Sequence, residues 1–240
     1  MTALSIVENR KIAIVDDDKT LAEATAWEVE AAGYEPLLFV DGHFQDVNEL
    51  VTCIMSKNVQ GSVCDHRLSN SGLANFYGAQ LVAALYDLKL PSILITQYTD
   101  IDTSSSIRKW RNKIPVLLSR EQADASSIAK GIENCRLELA GKRTGSRKPY
   151  RTIVRITNID AESHEPVVDA FVPGWNPHKA VRFPASLMPK NMIDVIIDVL
   201  QSKPNIRLFA RVNIGAENYD DLYFENFELA PEPDDDDGLT

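Results

Sequence analysis

At 240 residues, with 44% apolar and 25% charged side chains, the chain has room for one or two ordinary globular domains. Its net charge of −10 argues against broad electrostatic attachment to nucleic acid or an anionic bilayer and leaves only a local basic patch open. No apolar run approaches the roughly 18 residues that cross a bilayer, and residues 1–10 lack the basic start and apolar centre of a signal peptide. Cys53, Cys64 and Cys135 are scattered, odd in number and form no C-x-x-C pair. That indicates neither a disulfide framework nor a zinc site and fits reduced thiols in the cytoplasm.

Residues 11–15 form a short apolar run of strand type. Asp18 then suits the N-cap of a helix over 19–32, because its carboxylate accepts an orphan backbone N–H. Leu21, Ala22, Thr25, Val29 and Ala32 share one face of that helix, and Gly33 closes it. A strand is expected over 35–40, a helix over 44–57 and a buried strand over 62–64. After a loop at 69–72 come a helix over 77–88 and a strand opened by Pro91. A weaker, serine-rich helix over 102–112, a strand over 114–118 and a helix over 121–139 complete the pattern.

Five alternations of continuous apolar strand and helix within residues 11–140 predict an α/β, flavodoxin-like, doubly wound domain with a five-stranded parallel sheet. In the order 2-1-3-4-5, strands 1 and 3 are neighbours and ligands bind beyond the carboxyl ends of the strands. Asp16 and Asp17 follow the first strand, Asp65 ends the third and Thr96 ends the fourth, so all four meet at one mouth.

Residues 141–149, basic and rich in small residues, read as a linker. Beyond it a small, strand-rich α+β domain is expected over 150–230. Its strands lie at 150–159, 167–172, 206–214 and 222–229, with a loop-rich stretch over 171–189 and one helix over 192–200. Residues 231–240, with four consecutive aspartates, read as an acidic disordered tail.

Clustered carboxylates repel, so without a cation some must take up protons. A hard divalent ion removes the conflict, and Mg2+ prefers a few carboxylates, waters and a substrate phosphate. Asp17 and Asp65 could ligate it, Asp16 could hold a water ligand, and Asp65 could attack phosphorus in line. The Thr96 hydroxyl could donate to a phosphoryl oxygen. His66, beside Asp65, reads as an exposed loop residue, and the four histidines have no metal-ligand spacing.

Residues 11–139 resemble the receiver domain of two-component response regulators. The resemblance rests on Ile14-Val15-Asp16-Asp17-Asp18, Asp65-x-Arg67-Leu68, Ile93-Leu94-Ile95-Thr96 and the spacing of all five βα units. It implies a phosphorelay phosphoprotein that takes its phosphoryl group from a histidine kinase or phosphotransfer protein, and it leaves a homodimer open. Asp65 would be the phosphoacceptor and Thr96 the switch hydroxyl. Asp16, Asp17, Asp65 and the Arg67 carbonyl would hold Mg2+.

This chain departs from the receiver pattern at the end of the fifth strand, where a lysine followed by proline is usual and Ser119 and Arg120 stand instead. Ser119 takes the lysine position in the most direct alignment, Arg120 takes it after a one-residue shift, and Arg120 otherwise reads as a solvated surface residue. Gln97 replaces a small residue after the threonine, Ser69 replaces a proline, and the fifth strand lacks an aromatic. The second domain shows no recognition helix and no catalytic signature, which argues for a non-enzymatic unit with an unidentified protein partner and against nucleic acid and membrane. Four readings follow: a phosphorylated signalling protein, a phosphate sink without output of its own, a phosphorylation-independent pseudo-receiver scaffold, and, as the weakest, nucleic-acid binding through the basic stretch 142–151.

Overall fold

Five short apolar runs, each ending at the same edge, build the first sheet. β1 (Lys11–Val15), β2 (Glu35–Phe39), β3 (Gly61–Asp65), β4 (Ser92–Thr96) and β5 (Val116–Ser119) are all parallel, in the order β2-β1-β3-β4-β5. The structure is a computed structural model that describes residues 10–97, 106–160 and 165–231. Most of the expected N-terminal segment, the first part of the expected 102–112 helix and nearly all of the expected acidic tail lie outside the described residues.

β4 is buried at every position and β1 and β3 at all but one, as a parallel sheet covered on both faces requires. The covering helices are α1 (Lys19–Ala31), α2 (Val47–Ser56), α3 (Gly78–Asp87) and α4 (Ala125–Leu139). Ile12, Ile14, Val63, Ile93 and Ile95 of the sheet pack with Ala22 and Val29 of α1 and Ile128 and Ile132 of α4. Asp18 caps α1 by accepting the Thr20 and Leu21 amides at 2.8 and 3.1 Å, and Gly33 closes it in the left-handed region at φ +86°.

Around the first sheet three boundaries shift by two residues or more from expectation, each for a local reason. α2 starts at Val47, not 44, because Asp46 supplies the N-cap while Phe44 bridges to Ala74. α4 starts at Ala125 behind its own cap, Asp124, and Arg120–Gln122 form a separate 3-10 turn. β5 begins after Pro115, which has no ladder donor, and therefore runs on to Ser119.

A larger correction concerns the expected 102–112 helix. Its described part is a 3-10 helix, Arg108–Lys113, whose arginines are almost wholly buried. Arg108 donates to the carbonyls of Tyr219 and Leu222 at 2.9 and 2.7 Å, and its guanidinium lies 4.5 Å from the Tyr219 ring centre. Arg111 donates to the Asp220 carbonyl and pairs with Asp221 at 2.7 Å. These contacts belong to a second unit: the chain divides into residues 1–101 with 113–143, and 102–112 with 144–240.

In the second unit β6 (Tyr150–Asp160), β7 (Val167–Val172), β8 (Asn176–Pro184), β9 (Ile206–Val212) and β10 (Phe224–Leu229) form an antiparallel sheet in the order β10-β9-β6-β7-β8. β8 overturns the loop-rich reading of 171–189. It is an edge strand, where Pro177 and Pro184 cost no central ladder bond. α5 (Lys190–Leu200) covers one face, packing Met192 and Ile196 against Val154, Ile156, Val168, Phe183 and Leu208. The basic stretch 141–149 is not a bare tether. It carries a 3-10 turn, Gly145–Arg147, whose buried Arg147 donates to the Arg111 and Asn112 carbonyls at 3.0 Å and lies over Tyr223. Among the described residues no helix is long and apolar enough to cross a membrane.

Candidate functional site

The register of three adjacent strands sets the site. Val15 of β1 pairs with Cys64 of β3, so the chain emerges as Asp16-Asp17 beside Asp65 at the carboxyl edge. Asp65 pairs with Ile95 of β4, which puts Thr96 one residue further out, opposite Ser119 of β5. Carboxylate oxygens of Asp16, Asp17 and Asp65 come within 4.8 Å of one another. Asp16 is 2% exposed and Thr96 1% exposed, and Asp65 and Asp17 are partly buried.

Backbone amides hold each acid in place. Asp16 Oδ1 accepts the Asp18 amide at 3.0 Å, Asp65 Oδ2 the Arg67 amide at 2.7 Å, and Asp17 Oδ2 the Ser71 amide at 2.6 Å. Arg67 thus meets the acceptor through its backbone amide, a different atom from the carbonyl that the resemblance assigns to Mg2+. The last bond ties the 69–72 loop to the acidic cluster. Gly78 brings the start of α3 against the end of β3, its amide bonded to the His66 carbonyl at 2.8 Å. A Cβ there would overlap the Asp65 carbonyl oxygen.

Two residues depart from the sequence reading. Arg120 is not solvated: its side chain is 17% exposed, and Nη2 donates to Asp65 Oδ1 and, at 3.0 Å, to Asp16 Oδ2. Nη1 reaches the Thr25 hydroxyl at 3.3 Å. The cause is the displaced end of β5. With Ser119 still in the strand, Arg120 is the first residue past the carboxyl edge, and the signal for this was Pro115. Ser119 instead caps the following turn with Gln122. His66 is wholly buried and stacks on Tyr77, ring centres 5.0 Å apart, rather than lying exposed in a loop. Gln97 and Ser69 are exposed near the mouth.

Burial, and then the charge of Asp16, push the Asp65 carboxyl up to about 6, against the opposing pull of Arg120. Burial also raises Asp16. The cluster therefore holds more negative charge than its surroundings stabilise, and Arg120 supplies only part of the compensation. Three carboxylates whose oxygens lie within 4.8 Å of one another, all hard donors, fit a small divalent cation such as Mg2+. A hard cation held there would compensate the charge that keeps Asp65 high.

No protein-family model and no curated protein matches the sequence. Among solved structures the chain is similar to several response regulator receiver domains. A receiver domain protein from Clostridium thermocellum is 16% identical over 53% of this chain and 94% of that one, with a TM-score of 0.41. The signal receiver domain of an HD domain-containing protein from Pseudomonas fluorescens is 15% identical over 59% and 97%, TM-score 0.41. A response regulator from Burkholderia pseudomallei, seen with a phosphorylated aspartic acid, a calcium ion and citrate, is 20% identical over 55% and 72%, TM-score 0.40.

Proposed function

We propose that this chain is a response-regulator-like signalling protein in which Asp65 accepts a phosphoryl group from a histidine kinase or phosphotransfer protein. The observation that carries this is the convergence of Asp16, Asp17 and Asp65 at the carboxyl edge of the parallel sheet, with Arg120 as counter-cation. A carboxylate oxygen of Asp65 attacks phosphorus in line, the bond from phosphorus to the donor breaks, and the leaving group departs with the electron pair. The attacking form is the ionised one, which predominates above about pH 6. Mg2+, held by Asp16, Asp17, Asp65 and the Arg67 carbonyl, would neutralise charge on the incoming phosphoryl group. The Arg67 amide orients the acceptor. Arg120 follows the charge from carboxylate to phosphoryl oxygen, and the Thr96 hydroxyl donates to another. The added charge then biases the loops at this edge, and the second unit reads out that state. The protein so described is cytoplasmic and not itself an enzyme.

One observation favours the phosphorylation-independent scaffold. Arg120 already bridges Asp16 and Asp65, so the site has an internal cation at rest. A phosphate sink needs the acceptor but no conformational readout. Intact mass after incubation with a small phosphodonor and Mg2+ separates these readings. A gain of one phosphate in wild type but not in Asp65→Asn supports the proposal, and no gain in either rejects it in favour of the scaffold. Uptake without any conformational or oligomeric change identifies a sink.

A further inference from the structure

The second sheet has one face covered by α5 and one face open. Strand alternation puts Arg151, Ile153 and Arg155 of β6, Arg207, Phe209 and Arg211 of β9, and Phe171 of β7 on the open side. The register sets arginine directly opposite arginine twice: Arg151 faces Arg211 and Arg155 faces Arg207. Between these two rows Ile153, 38% exposed, faces Phe209. Like charges directly opposite across a ladder destabilise a sheet. The chain supplies partial compensation at the edges of this face: Glu225 of β10 stands opposite Arg211, Asp169 of β7 is taken by Arg182 at 2.9 Å, and Arg151 pairs with Glu228 at 3.2 Å, both exposed, and sits over the Phe209 ring. Arg155 lies over Phe171. Among the described residues Arg207 and Arg211 have no side-chain hydrogen bond or ion pair.

At one end of this face is an open cleft of about 470 Å³ bordered by Tyr150, Arg151, Arg211, Asn226 and Glu228. Tyr150 is 43% exposed, and Asn226 sits in the β10 bulge with φ +51°, a left-handed conformation that a bulge uses to re-aim a side chain.

We propose that this face binds single-stranded nucleic acid. Guanidinium groups recur at every fourth residue along β6 and β9, about 13 Å apart, with Ile153 and Phe209 between them, and they pair with phosphates in the planar, bidentate way that arginine favours over lysine. Phe171, Phe209 and the guanidinium planes supply the surfaces on which unpaired bases stack, with Tyr150 bordering the cleft at the end of β6. A duplex is disfavoured because a flat sheet presents no element that enters a groove. The overall charge of −10 does not oppose this, since Arg151, Arg155, Arg207 and Arg211 lie together on this one face. The reading replaces the protein partner expected of this unit from sequence and does not depend on what Asp65 does.

The test is fluorescence anisotropy of the full chain with labelled oligothymidylate and oligouridylate of about 15 nucleotides, titrated at several salt concentrations. Binding should weaken with salt, with a log–log slope steeper than about −2. The double variant Arg207→Ala/Arg211→Ala should lose about tenfold or more in affinity and flatten the slope by roughly 1. Phe209→Leu should weaken binding about fivefold with the slope unchanged. Because Arg207→Ala relieves an opposed pair, its melting temperature should hold or rise, which separates lost binding from lost folding. Any of three results overturns the proposal: no binding at low salt, binding indifferent to the arginine substitutions, or displacement by polyglutamate as effective as by oligonucleotide. The last would mark the face as a site for an acidic protein segment.

Discussion

Replacing Arg120 with alanine removes the guanidinium that, among the described residues, bridges Asp16 and Asp65. Taking one partner from a buried ion pair typically costs about 3–5 kcal/mol, because a charge is left without compensation. Here the loss is capped, since Asp65 already sits at about 6 and can take up a proton instead. Each further unit of upward shift costs about 1.4 kcal/mol, so a net loss of about 2–3 kcal/mol near pH 7 in EDTA is expected. For a unit of this size that lowers the melting temperature by roughly 8 °C. Mg2+ should then restore what the guanidinium supplied. At about 100 times its Kd a ligand adds about 2.7 kcal/mol, and in Arg120→Ala no guanidinium has to yield. Thermal melts of both proteins with and without Mg2+ give the answer: a larger Mg2+ shift in the variant than in wild type, closing most of the gap. A variant as stable as wild type in EDTA, or a smaller Mg2+ shift in the variant, would refute the view that Arg120 and a metal compete for the same carboxylates.

Two other expectations rest on the same site. Because burial raises Asp65 above its ordinary value of 3.8, the folded state binds more protons than the unfolded state, and metal-free stability falls as pH rises from about 4 to about 6. Asp16 acts in the same direction. Asp65→Asn should remove the larger part of this slope and gain on the order of 2 kcal/mol at pH 7; urea midpoints against pH in EDTA would show it, and parallel curves for the two proteins would contradict it. Gly78→Ala pushes a methyl into the Asp65 carbonyl, so it should cost about 3 kcal/mol or more by forcing α3 away from the acceptor strand, and a melting temperature within a degree or so of wild type would count against that packing.

The sequence by itself determined the parallel sheet and its acidic edge. Each strand is a continuous apolar run, each helix is opened or closed by a local signal such as Asp18 or Gly33, and strand order follows from packing rules that act on any such chain. Asp16, Asp17, Asp65 and Thr96 stand within a residue or two of their strand ends, so their meeting place was legible as soon as the order was known. Only the tertiary structure decided where Arg120 goes, because a one-residue difference in the end of β5 separates a surface arginine from one that bridges the buried Asp16 and the partly buried Asp65. It also decided that Arg108 and Arg111 belong to the second unit, since their carbonyl partners lie more than 100 residues away in sequence. β8 was hidden because its prolines read as loop until an edge position made them harmless. The arginines of β6 and β9 look dispersed along the chain. The antiparallel register alone sets them opposite one another, because pairing between strands some fifty residues apart is decided by long-range contacts that local pattern does not encode.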